Sequence, residues 1–357
     1  MMWSCTCDSP PIINLTDAFL GKGYAKENST LLCSTLEKWG WCHVTLVEDE
    51  LDFSFPSFEK STFLQTFSED RKEELLQQGA IYRGREAESG SSSSQATEPK
   101  QSWEISRCCG KKGNNTFLPF LESMHSVATA VGGILSFPKE TMLKEERCHC
   151  SSSSDAEKQT PCNIDLLRVF LYDPDPTALG SSPHTDWGTL TVVWQDNVGG
   201  LETYCPVHQV YNEVSPQEKK DETQRLCHFV VHVGDVTSLT LGHASGGGKG
   251  DQKVQFPSPL HRVQCPKKSD EPRISLVYFC YPPPPLSLAT LEQRIQDHVV
   301  SPNHSSTTKV PYDSYYLLQN QTSGQTADND PEAVYQQIRE KPLGDVFRAK
   351  WGQVQRE

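Results

Sequence analysis

Apolar and polar positions divide the chain into a part with helical spacing and a part with strand spacing. In residues 116–137, apolar residues recur three and four apart, which predicts a helix that ends toward Pro138. From residue 163 onward, short apolar or alternating runs are separated by Gly, Pro and Asp. Short strands at this spacing, without intervening helices, favour a sandwich or barrel of jelly-roll type. The predicted strands are 166–172, 189–196, 200–204, 227–241 and 273–281.

The flanking segments carry further helix and strand signals. The apolar run PIINL (11–15) predicts a first strand, and residues 28–45 predict a helix that ends near Gly40 and passes into a strand. A helix is also predicted in FSEDRKEELLQQG (67–79), with Ser68 in the capping position. In the tail, helices are predicted in LATLEQRIQDHV (288–299) and PEAVYQQIREK (331–341).

Composition suggests three regions along the chain. Ser-rich stretches at 85–101 and 146–162 are poor in apolar residues and are expected to be mobile loops. The Gly-rich run 242–252 is also expected to be a loop. We therefore predict a mainly helical region at 1–162, a β core at 163–285 and a helical tail at 286–357.

Charge and cysteine content limit the classes of partner. The net charge of −13 would repel a phosphate backbone, so nucleic acid is not an expected partner. We find neither an apolar run long enough to span a bilayer nor a secretory signal. The 13 cysteines are odd in number and lie in predicted strands as often as in loops, which favours a reducing compartment. The expectation is a cytoplasmic monomer that acts on a small molecule.

A histidine and an aspartate one residue apart open the strand at SSPHTDWGTLTVVWQD (181–196). In an extended backbone, His184 and Asp186 point to the same face and can grip one ion. The alternative is a polar turn in which Asp186 caps backbone amides. Two imidazoles and a carboxylate hold Fe(II) while leaving positions open for substrate and oxygen. A third ligand would come from His208, His228, His232, His243 or His261.

The sequence around the downstream histidines separates them. His228 and His232 alternate with apolar residues and are expected to point outward, and His243 falls in the Gly-rich loop. His261 stands just ahead of a strand that begins with Arg273-x-Ser275. A guanidinium cannot be neutralised and needs an anionic partner when buried, so an anionic ligand is expected there.

Taken together, these motifs resemble the iron(II)- and 2-oxoglutarate-dependent dioxygenases, in the isopenicillin N synthase-like branch. The similar passages are PIINL, WGWCHV, YRG (82–84), HTDWGTLTVVWQD, GGLETY, HVGDVTSLTLG and PSPLHRV…RISLVYFCYPP, within residues 11–285. The resemblance implies an α+β fold, with a double-stranded β-helix (jelly roll) as the mainly β core and helices packed around it.

The same resemblance implies a role for each matching residue. His184, Asp186 and His261 would be the metal ligands that bind Fe(II), and O2 would be the oxidant. Arg273 and Ser275 would bind the distal carboxylate of 2-oxoglutarate, the co-substrate. Tyr172 would also contact 2-oxoglutarate, although Phe170 stands where plant members have Asn.

The implied reaction is oxidation of a small organic substrate by hydroxylation, desaturation or ring closure, with release of succinate and CO2. Two alternatives stay open. The first is an Fe(II) oxidase of the same fold that does not use 2-oxoglutarate, of the ethylene-forming or isopenicillin N synthase type. The second is a non-catalytic metal-binding jelly roll.

Overall fold

The structure is a computed structural model of the 357-residue chain. It describes residues 9–19, 26–47, 55, 59–84, 98–106, 116–135, 137, 165–175, 177–216, 226–244, 256–267, 271–298 and 331–354. The predicted loop at 146–162 lies outside these residues.

Helices lie mainly at the two ends of the described chain, and strands fill its middle. The helices are α1 (Thr16–Phe19), α2 (Lys26–Trp39), α3 (Lys60–Gln65), α4 (Glu69–Gln77), α5 (Leu118–Ile134), α6 (Asp235–Ala244), α7 (Leu288–His298), α8 (Pro331–Arg339) and α9 (Leu343–Val354). The strands are β1 (Ile12–Asn14), β2 (Trp41–Val47), β3 (Ile81–Arg83), β4 (Lys100–Ser106), β5 (Asp165–Tyr172), β6 (Leu179–His184), β7 (Leu190–Gln195), β8 (Leu201–Cys205), β9 (Val210–Glu213), β10 (Leu226–Val233), β11 (His261–Gln264) and β12 (Arg273–Cys280).

The strands form two sheets. The larger has eight strands in the order β1-β2-β10-β7-β12-β5-β4-β3, and the smaller has four in the order β6-β11-β8-β9. All pairs are antiparallel except β1 with β2. Sequence neighbours are often distant within a sheet, as expected when a chain winds two sheets around one interior.

Both faces of the larger sheet are covered. The helices α2 and α5 pack on its outer face, where Met124, Val127 and Val131 of α5 join the main hydrophobic core. The three- and four-residue spacing of these side chains puts them on one stripe of the helix. Its inner face meets the smaller sheet through a second cluster: Trp41, Phe170, Tyr172, Val193, Leu201, Val214, Val230 and Val263. This interior between the sheets is where the candidate site lies.

Long strand registers fix the inward-facing residues. β12 pairs with β5 over eight residues, which places Arg273 opposite Tyr172 and Ser275 opposite Phe170. Because a slip of one residue would turn every side chain to the other face, this pairing determines what faces the interior.

Several predicted boundaries were wrong. The predicted strand 227–241 ends at Val233, and α6 follows from Asp235, because the chain turns at Gly234. The end of the predicted mobile loop 85–101 is buried: Glu98 and Lys100 are 3% and 6% exposed and form an ion pair of 2.5 Å. Residues 85–97 lie outside the described chain. Of the predicted Gly-rich loop, residues 242–244 belong to α6, and 245–252 are outside the described chain.

The helix prediction at 67–79 was correct in place and wrong in one detail. Ser68 precedes α4, but its hydroxyl donates to the carbonyl of Gln65 at 2.7 Å and caps no amide of the helix. The predicted helical first region also contributes strands: β1 to β4 all belong to the larger sheet. None of the described helices is both long and apolar enough to cross a membrane.

The buried His43 predicts a pH dependence of stability. Burial, and then the neighbouring His228 and His232, lowers the pKa of His43 from 6.5 to about 4. Between these values the unfolded chain binds a proton that the folded chain does not, so stability falls as pH falls through this window. We expect His43→Leu to reduce this slope by up to about 1.4 kcal/mol per pH unit.

The measurement is urea unfolding at several pH values between 4 and 7. His208→Leu, in the exposed turn after β8, is the control and should leave the slope unchanged. An identical slope in the wild type and His43→Leu would contradict the prediction.

Candidate metal centre

Three potential ligands converge where the two sheets meet. His184 ends β6, Asp186 lies in the turn that follows, and His261 opens β11 directly opposite His184 in the ladder. One ligand atom from each lies within 4.8 Å of the others. Oδ1 of Asp186 is 3.8 Å from Nε2 of His184 and 3.7 Å from Nε2 of His261. These are separations that a shared cation can bridge.

Backbone contacts orient both imidazoles. Nδ1 of His184 lies 2.7 Å from the carbonyl oxygen of Ser182, and Nδ1 of His261 lies 3.0 Å from that of Pro259. A carbonyl only accepts, so each Nδ1 carries a proton, and Nε2 is the nitrogen that each ring can offer to a metal. This is the arrangement usual for a metal-binding histidine.

The charge states also suit a cation. Burial, and then the nearby His261 ring, lowers the pKa of His184 to about 3, which keeps its imidazole neutral. Burial alone would raise the pKa of Asp186, but the three imidazoles around it, His261 foremost, hold that pKa below its ordinary value. Asp186 is 5% exposed, and its Oδ2 has no hydrogen-bond partner. Two imidazoles and one buried carboxylate fit Fe(II).

A close backbone contact holds the turn that carries Asp186. A Cβ on Gly234 would lie 2.1 Å from the carbonyl oxygen of Gly188, so the two segments touch. The contact lets the Asp235 amide donate to the Asp186 carbonyl at 2.7 Å. The Thr185 hydroxyl donates to the Asp235 carboxylate at 3.0 Å, so Thr185 points away from the ligand atoms.

A cavity opens beside the three ligands, and Arg273 lines it. Arg273 is 1% exposed. Its guanidinium donates to the Gly199 carbonyl, to Ser275 Oγ at 3.0 Å and to Gln195 Oε1 at 3.2 Å, and it lies 4.7 Å from the centroid of the Tyr172 ring. Three of the five donors of an arginine are thus used, and two remain. In the described chain no carboxylate pairs with it, which leaves the cavity as the place for an anion.

Tyr172 and Phe170 form the wall next to Arg273. Their rings stack with centroids 5.8 Å apart, and both line the cavity. A Cβ on Gly180 would lie 2.4 Å from the Tyr172 ring, so glycine is required there. Phe170 puts an apolar ring in this wall, at the position where plant members of the resembled family have Asn.

Four other histidines were candidates for the third ligand. His208 is exposed in the turn after β8, His228 lies upstream on β10, and His243 lies in α6. The prediction that His232 points outward was wrong, because it is fully buried and lines the cavity. Its alternation with apolar residues is ambiguous, since both faces of β10 are covered and a period of two does not tell which face is inward.

Comparison with known proteins agrees with this geometry. The model of the 2OG-Fe(II) oxygenase superfamily matches residues 163–282. A 1-aminocyclopropane-1-carboxylate oxidase of Dictyostelium mucoroides is 32% identical over 30% of this chain and 24% of its own length. Gibberellin 3-beta-dioxygenase 3 of Arabidopsis thaliana is 32% identical over 35% of this chain and 31% of its own. The chain thus spans about a quarter to a third of the length of these relatives.

A solved structure of a full-length Neurospora crassa protein in complex with alpha-KG covers 78% of this chain and 86% of that chain. Its TM-score is 0.51 at 18% identity, a likeness of fold. The family match thus covers the β core of this chain, residues 163–282. The predicted family and the predicted α+β jelly-roll fold are confirmed.

The contact between Gly188 and Gly234 predicts that a side chain at position 234 destabilises the fold. Gly234→Ala would push a methyl group into backbone, so we expect a loss of about 1–3 kcal/mol in the free energy of unfolding. Urea denaturation measures it. Gly84→Ala is the control, because nothing lies within 4 Å of a Cβ there. Equal stability of the two variants would contradict the prediction.

Proposed function

We propose that this protein is an iron(II)- and 2-oxoglutarate-dependent oxygenase that oxidises a small organic substrate with O2 and releases succinate and CO2. The observation that carries the proposal is the convergence of two Nε2 atoms and a carboxylate oxygen beside a cavity that also holds a buried arginine without an acidic partner among the described residues. The superfamily match across 163–282 supports it.

In this proposal His184, Asp186 and His261 hold Fe(II). The chemistry that the ion supplies when bound is activation of O2. The protein contributes the orientation of the ligands: the Ser182 and Pro259 carbonyls fix the two imidazole tautomers. Asp186 contributes the negative charge, in a turn held by the backbone of α6.

Arg273 and Ser275 bind the distal carboxylate of 2-oxoglutarate. The two unused guanidinium donors match the two oxygens of a carboxylate. Ser275 Oγ accepts from Arg273, which leaves the hydroxyl proton of Ser275 for the same anion. Tyr172 packs against the guanidinium and restricts its orientation. Val193, Val277 and other apolar side chains complete the lining and limit the access of water.

A second candidate uses the same metal ligands without 2-oxoglutarate. The relative named 1-aminocyclopropane-1-carboxylate oxidase supports it. In that case Arg273 would hold a carboxylate of the substrate. Binding of 2-oxoglutarate distinguishes the two. The third hypothesis, a jelly roll without turnover, would be supported by metal binding without any oxidation.

We further propose a monomeric, cytoplasmic protein with a small-molecule substrate and no nucleic-acid partner. The net charge of −13 and the six free thiols among the described cysteines support this setting. We also retain the division into 1–162, 163–285 and 286–357 as a proposal, with the β core carrying the chemistry.

The first test of the function is turnover of 2-oxoglutarate. Anaerobically reconstituted protein, mixed with Fe(II), 2-oxoglutarate and O2, should release CO2 from 1-¹⁴C-labelled 2-oxoglutarate slowly even without substrate. His184→Ala should lose both this release and binding of Fe(II), with circular dichroism unchanged because His184 lies at the end of its strand. Metal binding without CO2 release or 2-oxoglutarate binding would favour the second or third candidate.

The anion role of Arg273 has its own test. Arg273→Lys keeps the positive charge but loses the planar guanidinium that can donate two parallel hydrogen bonds to a carboxylate. We therefore expect KM for 2-oxoglutarate to rise about 10- to 100-fold. Arg262→Gln is the control: Arg262 lies on β11 but pairs with Glu202 at 2.6 Å and does not line the cavity. An unchanged KM in Arg273→Lys, with metal binding intact, would remove Arg273 from the 2-oxoglutarate site.

A further inference from the structure

Three buried polar groups beside the metal ligands have no hydrogen-bond partner. They are Oδ2 of Asp186, both ring nitrogens of His232 and Oγ1 of Thr191, and all three residues line the cavity. His232 and Thr191 are 0% and 1% exposed. Buried polar groups in folded proteins nearly always have partners, so this cluster calls for one.

The two oxygens of Asp186 face different neighbours. Oδ1 faces the Nε2 atoms of His184 and His261 at 3.8 and 3.7 Å. Oδ2 faces Nδ1 of His232 at 3.8 Å. A hydrogen bond between the last two atoms would be about 1 Å shorter. Oδ1 of Asp186 is therefore available to a cation, and Oδ2 lies next to His232.

The position of His232 is fixed by the larger sheet. β10 is a central strand, and His232 lies opposite Trp41 on β2 and opposite Thr191 on β7. Its ring centroid is 4.7 Å from that of His261. With neighbours on both strands and no exposure, His232 has little freedom to turn away from Asp186.

We infer that His232 is a positioning residue for the metal centre: its Nδ1–H donates to Oδ2 of Asp186 when a cation holds Oδ1. The hydrogen bond keeps Oδ2 away from the cation and orients the carboxylate so that one oxygen serves as ligand. Outer partners of this kind orient metal-binding carboxylates and commonly change metal affinity by about 10- to 100-fold. This inference rests on the proposed metal site of His184, Asp186 and His261.

The test measures Co(II) binding by the full-length apoprotein, through the visible absorption of the bound ion. His232→Leu fills a similar volume without a donor, and we expect its Kd for Co(II) to rise about 10- to 100-fold. The absorption band should also change shape, because the carboxylate is no longer held by its second oxygen. His232→Asn places an amide donor near the Nδ1 position and should restore Kd to within a few-fold of the wild type.

Thermal unfolding of the apoprotein gives a readout that a purely structural role would not produce. His232→Leu removes buried polar atoms that lack partners, so its melting temperature without metal should equal or exceed that of the wild type. A residue that only supported packing would lower stability and affinity together. Lower affinity with unreduced stability is the signature of positioning.

A matched control lies on the same strand and face. His228 is four residues before His232 and does not line the cavity, so His228→Leu should leave Kd for Co(II) unchanged. If His232→Leu does not fold, His232→Gln replaces it: its longer amide reaches past the Nδ1 position and should weaken binding where His232→Asn does not.

The outcomes separate this inference from the proposed function. Failure of the wild type to bind Co(II) would overturn the metal site and the inference with it. Stoichiometric binding by the wild type with the same Kd in His232→Leu would overturn the role of His232 alone. An equal loss in His228→Leu and His232→Leu would also overturn it, since both losses would then come from the packing of β10.

Discussion

The buried negative charge of Asp186 is the constraint on which the arrangement of the site depends. A carboxylate that is 5% exposed has lost most of its hydration, and burial alone would favour its neutral form. The interactions with His261, His232 and His184 outweigh this effect and hold the pKa of Asp186 below its ordinary value, and a bound cation would stabilise the carboxylate further. The neighbouring structure stabilises this charge. The rings of His184 and His261 lie on one side of the carboxylate and that of His232 on the other, and the contact between Gly188 and Gly234 holds the turn in place.

Each sheet supplies a different set of residues to the cavity. The smaller sheet supplies His184 and His261, which are directly opposed in one ladder. The larger sheet supplies Arg273 and Ser275 on one strand, and the long pairing of that strand with β5 fixes where they point. The proposed metal ligands thus face the proposed anion-binding residues Arg273 and Ser275 across one cavity. This division explains how residues distant along the chain come to line the same interior.

Strong local patterns made most of the elements predictable. The sequence predicts the strands β5, β7 and β12 from their apolar runs and α5 from its periodic stripe. It indicates His184, Asp186 and Arg273 by their spacing, and Tyr172 through the family resemblance. The misses depended on long-range contacts. The predicted strand 227–241 gives way to helix α6 at Gly234. Glycine is required there because the backbone of Gly188 lies against it, a contact that the sequence alone does not reveal. His232 looked like an outward residue because β10 is covered on both faces, which only the strand order reveals.

The proposed ligands His184 and His261 lie in the smaller sheet, and Asp186 lies in the segment that leads from it to the larger sheet, next to His232 of that sheet. A cation held by these ligands, with His232 behind Asp186, would connect the sheets only after both had formed and met, so the unfolded chain would gain little from it. Ligand binding confined to the native state stabilises by RT ln(1 + [L]/Kd), about 2.7 kcal/mol at a hundredfold excess over Kd. The supply of metal in the cell would then help to determine how much of this protein is folded and how long it survives proteolysis.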